Sequence, residues 1–341
     1  MADRMSFFHL DSLSCEPILR TAPNGELICV SQCGDVTEPA PENRVYVFHS
    51  KDDGESWSAP QLIWPEDGQA VYLTEVMVLG DEITVFLTLH NGSFLNWRCM
   101  MIKSRDSGYT WQQAGPPPFF PTFTFMRGMI QLQNGDILIP YQHYPITEEE
   151  NQRLLAQGLK WKDSNIDRVE NGVIKSKDGG KTWTHHQGAS IPMKGDTGRN
   201  WVWSEPTIAE LPDGHIGMLL RVCGSGKLWE SYSCDGGETW SEAMPTQIPN
   251  PGNKPKLISI PGGRIALIHT PSAGRGLLAR TPLAIWISDD GMKTWTYREV
   301  VSDFPGSFCY PDGFYRDGHL LFTIEFNRHD ILFIDHGIKE S

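Results

Sequence analysis

Hydrophobic and polar positions alternate with a period of two along most of the chain, in runs too short for helices and punctuated by turn residues. Residues 16–32, EPILRTAPNGELICVSQ, run as one alternating strand, turn at Asn24-Gly25, and run back as a second. The same plan recurs in EPTIAELPDGHIGMLLR (205–221), KPKLISIPGGRIALIHT (254–270) and YPDGFYRDGHLLFTIE (310–325), each opening on an X-Pro pair. RGMIQLQNGDILIPYQ (127–142) and EVMVLGDEITVFLTLH (75–90) repeat it without the proline. Six such hairpins are predicted, and DILFIDHG (330–337) supplies one further strand.

A second, shorter repeat follows these hairpins. It reads SKDDGESW (50–57), SRDSGYTW (104–111), SKDGGKTW (176–183), SCDGGETW (233–240) and SDDGMKTW (288–295). Four copies fit Ser-x-Asp-x-Gly-x-[Ser/Thr]-Trp, while the fifth has Met292 at the glycine position. In such a turn Asp accepts from nearby backbone N–H groups, Gly takes positive φ and Trp folds back on the sheet. A phosphate-binding loop is excluded for 176–183, because the glycine required five residues before Gly180 is Lys175. The copies start 54, 72, 57 and 55 residues apart, a period that suits four-stranded blades. The prediction is an all-β, six-bladed β-propeller of four-stranded antiparallel blades, with 1–341 one domain and the N-terminal MSFFHL closing the ring against 330–337.

The long interval contains an insertion in the third blade, about 145–172. Thr147 is a candidate N-cap with Glu150 in the capping-box position, and ENQRLLAQGLKW is predicted to form a short helix. Its role stays open between covering a pocket, contacting a second copy and decorating the surface.

Composition narrows the partners. Of 341 residues, 39% are hydrophobic and 21% charged, enough for a large core; Gly 33 and Pro 24 suit a chain of tight turns. A net charge of −13 argues against nucleic acid or an acidic membrane, while leaving room for a small cationic pocket. No signal-like apolar segment or 18-residue apolar run occurs, and the seven cysteines include no CxxC pair. Reduced thiols in a cytoplasmic protein are expected. No spacing for a metal is present, and no cofactor is expected. The oligomeric state is left open.

In a propeller the innermost strand of each blade lines the central channel. The pattern therefore nominates an entry ring, Glu16, Glu75, Arg127, Glu205, Lys254 and Tyr310, and an exit ring, Gln32, Gln142, Arg221, Thr270 and Glu325. The exit ring lies seven residues past the turn glycine; His90 leaves the corresponding strand of the second blade. Polar and ionisable side chains converging there mark a functional site.

The five short repeats are Asp-boxes, and with them the chain resembles the sialidase superfamily of β-propellers. The resemblance covers nearly the whole chain. WSEPTIAELPDGHIGMLLR is similar to the family stretch holding the catalytic Glu and an Arg, which implies Glu205 and Arg221. FCYPDGFYRDGHLLFTIE resembles the stretch with the nucleophile, implying Tyr310, with Glu325 near a position that orients an Arg. ARTPLAIWISDDGMKTW implies Arg280 as a further substrate-carboxylate ligand. Where the family carries its first Arg, in Phe/Tyr-Arg-Ile-Pro, this chain reads SCEPIL, so Arg127 or Lys254 would have to substitute. The general acid is placed at Asp35, with Glu38 and Glu75 as alternatives.

These implications describe a hydrolase that removes a terminal acidic or modified sugar from an oligosaccharide. A neutral phenol paired with a carboxylate base becomes a nucleophile without repelling an anionic substrate, and Arg matches a carboxylate bidentately. Substrate contacts are assigned to Arg221, Arg280, Arg127, Glu325, Lys254, Glu16, Glu75, His90 and His143. A uronate-oligosaccharide lyase using Arg127, Tyr141, His143 and His90 is the second reading, and a non-catalytic sugar-binding propeller the third.

Overall fold

The computed structural model describes residues 3–9, 12–117, 123–193, 201–302 and 304–338. Six antiparallel sheets are arranged as propeller blades. Blade 1 consists of Ser14–Thr21, Leu27–Cys33, Arg44–Ser50 and Gln61–Leu62; blade 2 of Ala70–Leu79, Glu82–His90, Arg98–Ser104 and Gln112–Gly115. Blade 3 pairs Ile137–His143 with Arg168–Ser176 and Thr184–Pro192, and its inner edge is split into Thr124–Met126 and Ile130–Gln131. Blades 4 and 5 run from Pro206–Glu210 to Met244–Pro249 and from Lys256–Ile260 to Tyr297–Val300. Blade 6 contains Phe308–Arg316, His319–Phe326 and Asp330–Gly337, closed by the N-terminal strand Arg4–His9 with Phe8 opposite Ile331. The predicted closure by MSFFHL is therefore present, shifted by one residue; Leu10 lies outside the described residues.

The Asp-boxes are the turns between the third and fourth strands, as the repeat implied. In the 176–183 copy, Asp178 accepts from Ser176 Oγ at 2.9 Å, Thr182 N at 2.9 Å and Thr182 Oγ1 at 2.6 Å. Ser176 Oγ accepts from Gly180 N at 2.8 Å, and Trp183 Nε1 donates to Gly180 O at 3.0 Å. The hydrogen bonds from Thr182 lead in holding the Asp178 carboxyl at about 2, below its usual range. In the exceptional fifth copy, Met292 adopts φ +68 with its side chain buried at 4% exposure. The thioether fits because the facing residue is Gly217: a Cβ there would come within 2.7 Å of Met292 Sδ.

The insertion forms the helix α1, Glu148–Ala156, and a 3₁₀ turn, Trp161–Asp163. Thr147 caps it, accepting from Glu150 N at 3.2 Å. The capping box is not completed: Glu150 instead receives Arg153 Nε at 2.6 Å and Asn165 N at 2.8 Å. The insertion is also shorter than expected, because Arg168 to Gly172 already belong to a strand paired with both neighbours. Leu154 anchors the helix in an aromatic cluster shared by blades 2, 3 and 4.

Each inner strand begins at the same end of the channel. Strand order then places the second-to-third strand loops, including 34–43, 91–97 and 144–167, on that same face, and the Asp-boxes on the opposite one.

Candidate active site

Three inner strands carry register shifts at equivalent places: Cys15/Ile18, Leu73/Glu75 and Cys309/Asp312. A bulge redirects side chains out of the regular alternation. In blades 1 and 6 it sets Glu16 at φ 49 and Tyr310 at φ 53, conformations that cost each non-glycine residue about 1–3 kcal/mol and cluster at functional sites. Both side chains are buried, with Tyr310 at 7% exposure.

The bulged residues enter a continuous polar network. Tyr72 OH and Arg127 Nη1 both donate to the Glu16 carboxylate, one to each oxygen. Arg127 Nη2 lies 4.0 Å from Glu205 Oε1. Arg221 Nη1 donates to Glu205 Oε2 at 2.6 Å and to the Tyr310 hydroxyl at 3.1 Å. The Arg221 and Arg280 guanidiniums sit 5.9 and 5.7 Å from the centre of the Tyr310 ring. Thiols help aim both: Arg221 Nε donates to Cys223 Sγ at 3.1 Å, and Arg280 Nη1 to Cys309 Sγ at 3.1 Å. Arg280 Nη2 also donates to Gly252 O at 2.9 Å.

This arrangement separates the two carboxylates electrostatically. Burial pushes Glu16 above its usual range despite Arg127. Burial acts on Glu205 in the same sense, but Arg221 and Arg127 outweigh it and hold Glu205 below its range. Tyr310 is raised well above an ordinary phenol, first by burial and then by Glu205, so the nucleophile candidate is neutral beside an ionised carboxylate. Lys254 is buried nearby, its amine lowered by burial and by Arg127. Three guanidiniums, Arg127, Arg221 and Arg280, thus stand with two carboxylates, Glu16 and Glu205.

Glu325 lies fully buried with neither oxygen hydrogen-bonded among the described residues, and burial pushes it to about 7. Arg328 Nε is 3.9 Å from Glu325 Oε1, and Arg328 Nη2 donates to Glu38 at 2.8 Å. Gln32, Gln142, Arg221, Thr270 and Glu325 are all buried. Thr270 Oγ1 accepts from Asn253 Nδ2 at 3.1 Å, while the Gln32 and Gln142 side-chain amides have no partner among the described residues.

Not every predicted residue joins the cluster. Glu75 sits in a different layer, accepting from Arg20, which also binds Asp312, while Lys256 reaches Asp312 at 2.9 Å. The bulge at Thr74 is the reason, since it lets Tyr72, three residues earlier, take the position beside Glu16. Asp35 is exposed on the 34–43 loop and accepts from Val36 N at 2.7 Å. His90 points away into an aromatic pocket, and His143 meets Thr124 Oγ1 at 3.0 Å. The Tyr141 ring packs at a tilt of 30° against the outer-strand His185, centroids 4.9 Å apart. Arg127, Tyr141, His143 and His90 are thus not gathered as the lyase reading requires.

Tyr72 and Arg328 are the residues that sequence reasoning missed. Alternation alone put Glu75 in the channel position, and no pattern announces a bulge. Arg328 occupies the last hairpin turn, where Asn327 and Arg328 both have positive φ, and such turns read as solvent-exposed.

The fold is a six-bladed propeller whose inner strands bring Glu16, Arg127, Glu205, Arg221 and Tyr310 into one buried network. A model of the BNR repeat-like domain matches residues 74–321. The chain belongs to that family. A sialidase from Paraclostridium sordellii is 22% identical across 91% of this chain and 81% of its own length. A sialidase from Clostridium perfringens is 26% identical over 62% of this chain, which spans 53% of that protein. Among solved structures, a protein of unknown function from Dyadobacter fermentans superposes with a TM-score of 0.73 at 18% identity, covering 99% of both chains. Trypanosoma rangeli sialidase in complex with the inhibitor DANA superposes with a TM-score of 0.69 at 16% identity, covering 98% of this chain and 60% of that one.

Proposed function

We propose that the protein is a glycoside hydrolase of sialidase type that releases a terminal acidic sugar from an oligosaccharide. The observation that carries this reading is the single Arg221 nitrogen bonded to both Glu205 and the Tyr310 hydroxyl, beneath a second guanidinium from Arg280. Arg221 and Arg280 hold the substrate carboxylate. Tyr310 Oη attacks the anomeric carbon as its proton passes to Glu205, and the bond to the leaving oxygen breaks. Water then cleaves the tyrosyl–sugar bond: the acid that protonated the leaving oxygen, now a carboxylate, takes a proton from that water, and Glu205 returns the proton it holds to the phenol oxygen. The leaving oxygen takes its proton from an acid on the 34–43 loop. Glu38 is better placed there than Asp35, because its charge bears on both Glu16 and Tyr72.

Arg127 does not complete a three-arginine clamp, being committed to Glu16 and Glu205. Substrates with acidic groups other than that of sialic acid are therefore included. Incubation with α-linked sialosides and uronate-terminated oligosaccharides, following reducing sugar and near-ultraviolet absorbance together, tests the proposal. Reducing sugar without a new absorbance is expected, and Tyr310→Phe abolishes it while remaining folded. Full activity in Tyr310→Phe refutes the tyrosine mechanism; a conjugated double bond in the product indicates a lyase, and no turnover of any acidic glycan indicates a binding module.

A further inference from the structure

On the same face as Tyr310, but sharing none of its residues, a cavity of about 610 Å³ opens between the 91–97 loop and helix α1. Its size falls within the ~300–1,000 Å³ that small-molecule sites occupy. Trp97, Phe123 and Leu95 form an apolar wall, and Asn91, Asn96 and Asn151 supply amides around it. Two reciprocal hydrogen bonds, Asn96 N to Asn151 Oδ1 at 3.1 Å and Asn151 Nδ2 to Asn96 Oδ1 at 3.2 Å, tie the insertion helix to the loop. The insertion is therefore one wall of a cavity rather than a loose decoration.

Two further features mark this cavity as a built site. His90, at 4% exposure, lines it; its Nδ1 accepts from Gly92 N at 3.0 Å, so the proton sits on Nε2, and that N–H has no partner among the described residues. Burial holds the ring at about 3 and therefore neutral, a fixed donor rather than a charge. The wall is also held in sparsely populated backbone conformations: Asn96 and Phe123 have φ of 55 and 58, as does Phe94 behind them at 59. Phe94 packs against Trp97 and Phe123 of the cavity and, edge-on at 5.4 Å, against Tyr72, whose hydroxyl donates to Glu16.

The charges of the cavity contrast with those of the channel. Its ionic side chains are one cation, Arg98, and one anion, Glu148, each already engaged, with Gln69 and Gln152 respectively. Flat apolar rings, amides and an unpaired neutral donor, without net charge, match the C–H faces and hydroxyls of an uncharged sugar. We propose that the cavity between the 91–97 loop and helix α1 is a binding site for a neutral pyranose unit, distinct from the centre around Tyr310. Occupancy requires no chemistry at Tyr310, so this proposal stands or falls separately from the hydrolase reading.

The test is titration calorimetry or saturation-transfer NMR of the full chain with methyl β-galactoside, methyl α-mannoside, lactose and N-acetyllactosamine. At least one binds the wild type. Glu148→Trp, an exposed position on the first turn of α1, fills the cavity and weakens that binding about tenfold or more. His90→Phe keeps the ring shape, removes the Nε2 donor and weakens it about three- to tenfold. Tyr310→Phe leaves it unchanged. Absence of binding by all four glycosides overturns the proposal, as does binding that survives both cavity substitutions in folded protein or is lost in Tyr310→Phe.

Discussion

Glu325 makes the sharpest energetic prediction. Its carboxyl is buried with no hydrogen bond among the described residues, and its folded pKa of about 7 stands above the ordinary 4.5. A carboxyl that binds its proton more tightly when folded contributes its full stability below pH 4.5 and loses it as pH rises towards 7 and beyond. At about 1.4 kcal/mol per pH unit, the interval corresponds to a loss of about 3 kcal/mol. Glu325→Gln removes the ionisation while keeping the side-chain shape, and Arg328 retains Glu38 as its partner. The variant should gain on the wild type progressively from pH 4.5 to 7, its relative stability shifting by about 3 kcal/mol over that range. Urea unfolding followed by tryptophan fluorescence at intervals from pH 4 to 8 measures the shift. Parallel pH profiles for the two proteins would show that Glu325 ionises freely and refute the argument.

Glu205→Gln removes the proposed base and should lower kcat about 10²–10⁴-fold on an acidic glycoside, with a smaller change in KM, as read from initial rates. Arg280→Lys replaces a fork that also bonds Gly252 O and Cys309 Sγ with a point charge; KM for an anionic substrate should rise about ten- to a hundredfold, more than kcat falls. Gly237→Ala puts a Cβ 2.7 Å from Leu138 Cδ2 at φ +91, and should destabilise the protein by about 1–3 kcal/mol in urea unfolding while leaving kcat unchanged.

The blade count, closure of the ring by the N-terminus, the Asp-box turns and the capped helix in blade 3 were all legible in the chain. Each is written by short-range chemistry: period-two alternation, a glycine or its substitute at positive φ, an Asp four residues before the Ser/Thr it binds. The same alternation led to Glu16, Arg127, Glu205, Arg221 and Tyr310, which the structure brings into one network. It failed at Glu75, because a bulge shifts register by one residue and register depends on which neighbouring strand satisfies the backbone, not on local propensity. Arg328 was invisible for a related reason: a turn residue gains its role only when the last blade closes against the first and brings Glu38 within reach. Strand identity and turn chemistry are local properties of a sequence. Which charge faces which, and which carboxylate keeps its proton, are set by burial and by partners hundreds of residues away, and those exist only once the ring has closed.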